Sequence, residues 1–512
     1  MEKEIEKLLD NINGYPLDEA QRKVVLSKDK HLLVSAGAGS GKTLTILGKI
    51  RYLIEIEKIK EHEVICISFT NEATNNLKNK LKENYNYDIP CYTFHKLGLE
   101  ILKKQNYKIT SSDMLTYTIN EFFKAIIKQN PENIKRTLSF LNIKYNNINY
   151  TKKYQKLEEK ELTPIKTLVE KFINLFKAND YKSEEFITFI KNEKNKKYKA
   201  FLILTYYAYH TYQKELQSRK EIDFSDMISL STKYVEKHGY KNKIKYIIID
   251  EFQDTSKVRF NLIKEILNKT NANLLVVGDD FQSIYRFTGC DLKLFLDFNK
   301  IYKDSKILKI ENTYRNSQEL INIAGSFIMK NKNQLTKDLK SNKKEKYSIQ
   351  IIYYKNIITT FIKLIEHIHK KTNKPILILG RNNFDINEIT KSNLFTLDKN
   401  NLIYTKNKDI KMTYLTVHRS KGLEEENVII INLKNTNLSF PNQISDHKVL
   451  KHVACKEDDY PYAEERRLFY VAITRTKNIT YLLTPIKNES IFITELKKDY
   501  KKQIKIVRKN KF

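Results

Sequence analysis

Cysteine is scarce in this sequence, with four residues among 512, and tryptophan is absent. The cysteines are Cys66, Cys91, Cys290 and Cys455. Because no two of them form a CxxC pair, the sequence predicts neither a zinc site nor a disulfide framework.

Long apolar runs are also missing. The N-terminal stretch MEKEIEKLLDNINGYPLDEAQ is charged and has no apolar signal segment. No run approaches the roughly 18 consecutive apolar residues that a membrane span requires. We therefore expect a protein of the cytoplasm, a reducing compartment, with no part that spans a membrane.

Positive charge, in contrast, is abundant. Lys and Arg number 92 and Asp and Glu 61, which gives a formal net charge of +31. This excess suits a polyanionic partner, with nucleic acid ahead of an anionic membrane surface. The alternative is a compositional drift, because Lys, Asn, Ile and Tyr are frequent throughout the chain. The length predicts about two to four domains.

Short apolar runs that end in polar loops recur along the chain, and helical patterns separate them. This arrangement is typical of buried parallel strands in an α/β sheet, where functional groups follow the carboxyl ends of the strands. The runs are Leu32–Val34, Val64–Ser68, Ile247–Ile249, Leu274–Val277, Ile376–Leu379 and Val428–Ile431. From about Gln105 to Ala200 the sequence is long, polar and helical in period, which indicates an inserted helical subdomain.

The first polar loop has the composition of a phosphate-binding loop between a strand and a helix. Small residues let backbone N–H groups close around a phosphate, and the helix N-terminus adds positive potential. We expect Lys42 to reach the β- and γ-phosphates and the Thr43 hydroxyl to bind Mg²⁺. The loop consists of Ala36, Gly37, Ala38, Gly39, Ser40, Gly41, Lys42 and Thr43, with Ala36 in place of the first glycine of the strict pattern.

Two further strand ends carry polar groups. In the stretch YIIIDEFQDT, Asp250 and Glu251 directly follow the apolar run. We predict that Asp250 holds Mg²⁺ and that Glu251 is the base for the attacking water. LLVVGDDFQSIYRFTG places Gln282 where it senses the γ-phosphate. The same stretch continues with Tyr285 and Phe287 on either side of an arginine, which predicts a stacking platform for unpaired bases. The alternative is that the two aromatic side chains belong to the core.

In this order, the phosphate loop, DEFQDT and GDDFQSIY resemble the UvrD/Rep family of superfamily 1 helicases, and the wording is closest to the helicase IV branch. Further segments resemble the remaining family motifs from about residue 15 to residue 485. They are LDEAQR at 17–22, SFTNEA at 68–73, TFH at 93–95, IDFSD at 222–226, NTYRN at 312–316, TVHRSKGLE at 416–424 and EERRLFYVAITR at 464–475.

The resemblance implies roles for individual residues. For ATP it implies that Gln21 reads the adenine edge, Tyr314 stacks on adenine and Arg315 touches the γ-phosphate. Glu424 is expected to bind the nucleotide, and Arg475 to be an arginine finger, so the expected cofactors are ATP and Mg²⁺. The expected DNA contacts are Phe69, Thr70, Asn71, Thr93, Phe94, His95, Tyr285, Phe287 and His418.

The resemblance also implies an α/β fold with two RecA-like P-loop NTPase domains, parallel sheets and ATP in the cleft between them. The expected segments are residues 1–104 and 201–298 for domain 1A, 105–200 for a helical 1B-type insertion, and 299–512 for domain 2A. The connection near 383–412 is too short for the 2B subdomain of larger members. Thr288 stands where many members have Arg, and Phe287 where Trp is frequent.

Three functions remain open at this point. The first is an ATP-dependent helicase that moves 3′→5′ on single-stranded DNA and acts at duplex junctions, with a possible repair-protein partner. The second is a translocase that strips proteins from DNA or serves as the motor of a nuclease partner, for example in phage defence. The third is an ATP-switched nucleic-acid-binding regulator without motor activity, against which the acid pair and both arginines argue.

Overall fold

The computed structural model describes residues 1–456 and 458–508. The α-helices are α1 (Glu2–Leu9), α2 (Glu19–Leu26), α3 (Lys42–Arg51), α4 (Asn71–Tyr85), α5 (Phe94–Leu102), α6 (Met114–Glu121), α7 (Pro131–Phe140), α8 (Tyr150–Gln155), α9 (Glu159–Ala178), α10 (Ser183–Asn192), α11 (Lys196–Arg219), α12 (Phe224–His238), α13 (Lys257–Thr270), α14 (Lys293–Leu296), α15 (Phe298–Ile301), α16 (Gln318–Ile328), α17 (Ile357–Thr372), α18 (Asn387–Thr390), α19 (Ala463–Ile473) and α20 (Ile491–Tyr500).

The β-strands complete the secondary structure. They are β1 (His31–Ala36), β2 (Val64–Ser68), β3 (Cys91–Thr93), β4 (Lys108–Ile109), β5 (Glu221–Ile222), β6 (Tyr246–Ile249), β7 (Asn273–Gly278), β8 (Ser305–Ile310), β9 (Ile349–Tyr354), β10 (Ile376–Gly380), β11 (Phe395–Asp398), β12 (Asn401–Tyr404), β13 (Met412–Thr416), β14 (Glu425–Ile430), β15 (Thr476–Pro485) and β16 (Lys505–Val507). The six strands predicted from apolar runs are all present, and the predicted α/β fold is confirmed.

The N-terminal sheet has six parallel strands in the order β3, β2, β6, β7, β1 and β8. Its apolar runs are buried on both faces because helices cover both, as parallel sheets require. The phosphate loop and the acid pair follow β1 and β6, so one edge of the sheet presents both. Strand β8 belongs to this sheet, so the N-terminal domain extends past the expected boundary at 298 to at least Ile310.

A helical unit, α6 to α11, interrupts the N-terminal domain. Its interior is rich in phenylalanine and tyrosine, with Phe172, Phe176 and Phe201 fully buried. The expected boundary at residue 200 lies inside α11, which runs unbroken to Arg219. The sequence does not show that the helical unit continues to Arg219 and not only to residue 200. Helix α11 carries buried residues along its length, and no turn residue interrupts it.

The C-terminal sheet has eight strands in the order β11, β12, β13, β10, β14, β15, β9 and β16. The six strands β13, β10, β14, β15, β9 and β16 run parallel to one another. Strands β11 and β12 form an antiparallel hairpin at the edge, and β12 is also antiparallel to β13. The sheet is therefore mixed, and not parallel throughout as expected. The hairpin and the short helix α18 occupy the connection near 383–412, where larger family members were expected to carry a subdomain.

A loop of the C-terminal domain, residues 439–456 and here called the strap, reaches the helical unit. Its residues Val449, Leu450 and Val453 are buried in the interior of that unit. The backbone oxygen of Val453 accepts a hydrogen bond from Asn179 Nδ2 (2.9 Å). The helical unit is thus packed against the N-terminal domain from which it emerges and against the C-terminal domain. In the part of the chain described, no helix has the length and apolarity to cross a membrane.

Candidate active site and nucleic-acid interface

The loop between β1 and α3 is shaped to leave its backbone accessible. Gly39 and Gly41 have φ values of +71° and +78°, which favour glycine. A Cβ atom on Gly39 would lie 2.4 Å from Arg315 Cβ, and one on Gly41 would lie 2.7 Å from Gln21 Nε2. Among the described residues, no group hydrogen-bonds to the buried Ser40 Oγ. An open polar cradle of this kind fits a phosphate group.

A cavity of about 310 Å³ adjoins this loop and lies between the two sheet domains. Most of the predicted nucleotide residues therefore meet around one space, although they come from distant parts of the sequence. The lining comprises Gly39, Ser40, Gly41, Lys42, Thr43, Glu251, Gln282, Arg315, Gly422, Glu424 and Arg475. Ala36 ends β1, and the backbone oxygen of Ala38 accepts a hydrogen bond from Thr313 Oγ1 (2.7 Å), so these two residues support the loop from outside the cavity.

The acid pair follows β6. Glu251 has φ +52°, an uncommon conformation for this residue type, and its carboxylate lies 3.0 Å from Lys42 Nζ. Burial opposes the charge, but the ammonium groups of Lys42 and Lys421 hold the pKa of Glu251 well below its usual range. Burial and the neighbouring Glu251 raise the pKa of Asp250 to about 6. Asp250 Oδ1 accepts the N–H of Glu251 (2.9 Å).

Gln253 links the acid pair to the next strand end. Its Nε2 donates to Glu251 Oε2 (2.5 Å), and its Oε1 accepts the N–H of Asp279 (2.9 Å). The nearby Gly278 is required here, because a Cβ atom would lie 2.3 Å from Gln253 Oε1. Glu251 is consequently held in place by a lysine on one side and by an amide on the other.

Both predicted arginines reach the cavity from the C-terminal half of the chain. Arg315 Nε lies 2.5 Å from Glu424 Oε2. Arg475 is buried, and its Nη2 donates to Gln282 Oε1 (3.1 Å) of the N-terminal domain. Burial and the charge of Arg315 lower the pKa of Arg475 to about 9, which still leaves the guanidinium charged at neutral pH. The arginine and the γ-phosphate sensor predicted from sequence are therefore in contact.

The residues expected to contact adenine lie beside the same loop. The Tyr314 ring is 53% exposed, and its hydroxyl donates to Asp18 Oδ2 (2.9 Å). Gln21 is fully buried, and its Nε2 donates to the backbone oxygen of Ser40 (3.1 Å). Its Oε1 accepts the N–H of Asp18 in a capping box at the start of α2. Tyr314 is thus open to a stacking ligand, whereas the Gln21 amide contacts the phosphate loop itself.

An aromatic face lies on the other side of Gln282. Phe69 and Tyr285 stack with their ring centroids 5.5 Å apart, and the Arg259 guanidinium lies 4.9 Å from the Phe69 centroid. Phe287 is 49% exposed and meets the His418 ring edge-on at 5.4 Å. Tyr285 packs against the core and donates from its hydroxyl to the His418 backbone oxygen (2.9 Å). Phe287 is thus more open to a base than Tyr285.

Several other residues expected to bind DNA have structural roles. Phe94, expected among the DNA contacts, is 3% exposed and packs in the core of the N-terminal domain, so its ring is not open to a base. The Thr93 and Thr70 hydroxyls cap α5 and α4, although Thr70 and the following Asn71 are exposed. His95 is half-buried beside the Phe224 ring.

Histidine charge adds little to this face. Burial and Arg259 lower the pKa of His95 to about 4. Burial, with Arg381 and Lys421, likewise lowers the pKa of His418 to about 4. Both rings are therefore neutral at physiological pH, and they serve as polar or stacking groups and not as cations for a phosphate backbone.

Lys421 also belongs to this site, although it was not among the residues predicted from the sequence. Its Nζ pairs with Asp254, lies 3.5 Å from Glu251 Oε2 and donates to the Gln282 backbone oxygen (2.9 Å). The same ammonium lies 5.2 Å from the Tyr285 ring centroid. One side chain of the C-terminal domain thus touches the acid pair, the γ-phosphate sensor and the aromatic face. Its only signal in the sequence is its place within TVHRSKGLE.

A second cavity, of about 1490 Å³, continues from Phe287 and His418 between the helical unit, the strap and the C-terminal sheet. The exposed Phe384 also lines it. At its border Arg286 pairs with Glu464 (3.1 Å) and with Asp446 of the strap (2.7 Å), and Asp446 also binds Lys171 of the helical unit (2.7 Å). These ion pairs join three parts of the molecule beside the aromatic face.

Comparison with known proteins gives a consistent result. Residues 17–303 match the family described as UvrD/REP helicase N-terminal domain, and residues 393–485 match the UvrD-like helicase C-terminal domain. The chain is 26% identical over 496 residues to DNA helicase IV of Escherichia coli, covering 95% of this chain and 71% of that protein. It is 27% identical to ATP-dependent DNA helicase Rep of Buchnera aphidicola, covering 92% of this chain and 73% of the relative. With ATP-dependent DNA helicase PcrA of Staphylococcus aureus, 28% identity covers 63% of this chain and 41% of the relative.

Proposed function

The chain belongs to the UvrD/REP helicase family, and from this premise we propose that it couples ATP hydrolysis to 3′→5′ movement along single-stranded DNA. The nucleotide cavity lies between two sheet domains that share few covalent connections. A cleft in this position closes around ATP and opens after hydrolysis, which moves the domains against each other. DNA held by both domains is then displaced along them.

The residues of the cavity match the parts of a phosphoryl-transfer site. The phosphate loop and Lys42 bind the phosphates, and Glu251 accepts a proton from the attacking water. Hard oxygen donors at Thr43 and Asp250 fit Mg²⁺, which supplies charge neutralisation when it is bound. In the described part of the chain no cluster of three or more His, Cys, Asp or Glu could hold a metal.

The observation that carries the proposal is the contact between Arg475 and Gln282. The guanidinium of one domain donates to the amide oxygen of the other across 3.1 Å, at the wall of the nucleotide cavity. A charge supplied across a cleft acts only while the cleft is closed. Hydrolysis and domain position are therefore linked through one pair of side chains, as a motor requires.

The connection to DNA runs through the same region. Lys421 touches both the Gln282 backbone and the Tyr285 ring, and the Tyr285 hydroxyl donates to the backbone oxygen of His418, three residues before Lys421. A change at the γ-phosphate sensor is consequently felt at the aromatic face. The presence of Glu251 as a catalytic base and Arg475 as an arginine finger favours a motor over an ATP-switched regulator, because the regulator needs neither group.

One observation favours a second form of motor. Residues 383–412, where larger family members were expected to carry a 2B subdomain, contain α18 and a short hairpin. A translocase that removes proteins from DNA, or that drives a nuclease partner, needs movement along single-stranded DNA without unwinding a duplex. We therefore propose that the protein moves along single-stranded DNA whichever form of motor it is, and that only a helicase would also unwind a duplex.

The deciding experiment measures strand displacement on duplexes with a 3′ tail, a 5′ tail or no tail, with and without a bound protein roadblock. A 3′→5′ helicase displaces only from the 3′-tailed substrate. A translocase of the second form removes the roadblock from 3′-tailed DNA but leaves the duplex intact. Preference for the 5′ tail, or DNA-independent ATP turnover, would contradict the proposal.

Removing the Phe287 ring is expected to weaken binding of single-stranded DNA. Stacking one base contributes roughly 1–3 kcal/mol by alanine substitution, so Phe287→Ala should raise the Kd by about 5- to 150-fold. Basal ATP hydrolysis should be nearly unchanged, whereas translocation should stay slow even at saturating DNA. Tyr117→Ala, which removes an equally exposed ring from the helical unit, is the matched control. Full recovery of translocation at saturating DNA would show that Phe287 is a passive contact.

Binding should also depend steeply on salt. Each phosphate neutralised by Lys or Arg releases counterions, so the slope of log affinity against log salt is about −0.7 per contact on single-stranded DNA. With a net charge of +31, several contacts are expected. Fluorescence anisotropy across a range of NaCl concentrations measures the slope. A flat response would mean that the positive charge reflects composition and not DNA binding.

A further inference from the structure

A buried ion triplet lies behind the γ-phosphate sensor. Lys337 Nζ is 2.5 Å from Asp279 Oδ1 and 2.6 Å from Asp280 Oδ1, and the three side chains are at most 1% exposed. The same ammonium lies 4.0 Å from the Phe281 ring centroid. Burial opposes its charge, but the two carboxylates raise the pKa of Lys337. A lysine in such a place is costly to desolvate, so its partners must hold it firmly.

The triplet continues to the arginine finger through a directional chain of hydrogen bonds. Asp279 Oδ2 accepts Gln282 Nε2 (2.6 Å), and Gln282 Oε1 accepts Arg475 Nη2 (3.1 Å). An amide can rotate so that its oxygen and nitrogen exchange places. Here the nitrogen must face Asp279 for the oxygen to face Arg475. A charged Asp279 enforces that orientation, because a carboxylate only accepts hydrogen bonds.

Lys337 lies on a connector, residues 329–348, that joins α16 to β9 and runs along the cleft. Two residues further on, Leu339 packs on the phosphate loop, since a Cβ atom on Gly37 would lie 2.6 Å from Leu339 Cδ2. Lys340 pairs through its backbone with Glu311 and Thr313, just before Tyr314 and Arg315. The connector therefore touches the phosphate loop, the loop of residues 279–289 that carries Gln282 (the sensor loop), and the segment that carries Arg315.

We propose that Lys337 is a positioning residue for ATP hydrolysis, which holds Asp279 so that the Gln282 amide oxygen faces Arg475. The inference rests on the proposed function. Without the ammonium, two neighbouring buried carboxylates have no cation between them. Asp279 Oδ1 then keeps only the N–H of Phe281 (3.1 Å), so the carboxylate is held less firmly with its second oxygen toward Gln282. Misplacing the sensor disturbs the transition state more than it disturbs bound ATP.

The test compares single-stranded-DNA-stimulated ATP hydrolysis in the full chain and four variants: K337M, Q282A, K337M/Q282A and K340M. K337M should lower kcat by about 10²-fold, the usual effect of a small misplacement in a catalytic site. The KM for ATP should change little. In the Q282A background, K337M should cause no further loss of kcat, because the group that it positions is already gone. K340M is the matched control, since the Lys340 side chain is 67% exposed on the same connector.

Thermal unfolding is measured alongside, because K337M leaves two buried carboxylates unpaired. If K337M does not fold, K337M/D280N removes one of those carboxylates and carries the same expectation. Equal kcat for K337M and wild type, or a loss that multiplies with that of Q282A, overturns the inference and leaves the proposed function standing. A wild-type chain with no DNA-stimulated hydrolysis overturns the proposed function, and the inference with it.

Discussion

Glu251→Gln is expected to lower DNA-stimulated ATP turnover by about 10²- to 10⁴-fold, the range that a positioned general base contributes. The amide has the size of the carboxylate and still accepts a hydrogen bond from Lys42, which is 3.0 Å away. It has no basic oxygen for the proton of the attacking water. ATP should therefore remain bound to a cleft that cannot turn it over, which a fluorescent ATP analogue and single-turnover hydrolysis measure separately.

The control for this variant is Glu6→Gln, the same isosteric exchange at a residue of α1 that is 68% exposed. It should leave both binding and turnover unchanged. Wild-type turnover by Glu251→Gln would remove Glu251 from the role of base. A joint loss of ATP binding and turnover would instead indicate that its ion pair with Lys42 mainly shapes the phosphate loop.

The parts of this site that the sequence predicts are those identified by residues that are neighbours in the chain. The phosphate loop and the acid pair each follow a buried apolar run, so a few neighbouring residues identify both the strand and the chemistry at its end. Gln282 and Arg475 had separate expected roles, one from a strand end and one from the family resemblance, and only the structure shows that the two side chains are in contact. The α/β fold and the helical insertion were likewise foreseeable from periodicity.

Other features depend on contacts between distant residues. Phe94 follows Thr93 in a motif that was expected to contact DNA, yet the helix that Thr93 caps turns the Phe94 ring into the core. Lys306 and Lys309 interrupt the apolar residues of β8, so no continuous apolar run marked it as a strand of the buried sheet. Lys337 and Lys421 are two of many lysines in a basic chain. Only their burial against acidic partners distinguishes them.

The ion pairs around the strap join the helical unit to both sheet domains. Asp446 joins Lys171 of the helical unit to Arg286, which lies between the two aromatic residues of the sensor loop. Partly exposed ion pairs are individually weak, but the three apolar strap residues beside them are fully buried. The strap therefore fixes the helical unit near the second cavity, while polar contacts at its rim exchange more easily than the apolar ones.

Arg475→Lys is expected to lower DNA-stimulated turnover by about 10³-fold or more, as loss of an arginine finger does in related phosphoryl-transfer sites. Lysine keeps the charge but loses the planar fork, so it cannot bind Gln282 Oε1, the Leu423 oxygen and the Val471 oxygen at once. ATP affinity should fall much less, because the phosphate loop and Lys42 remain. Lysine is preferred to alanine as the replacement, since alanine would leave a buried cavity and several unpaired acceptors.

The matched control is Arg466→Lys on helix α19, which ends two residues before Arg475. Arg466 is also buried and makes a two-pronged contact with Glu495, but it does not line the nucleotide cavity. Both variants lose a guanidinium fork, so both should lower the unfolding temperature, whereas only Arg475→Lys should lower kcat. If the two variants lose turnover to the same extent, the effect of Arg475 is one of folding. A different residue would then have to supply the positive charge across the cleft, and with it the link between hydrolysis and domain movement.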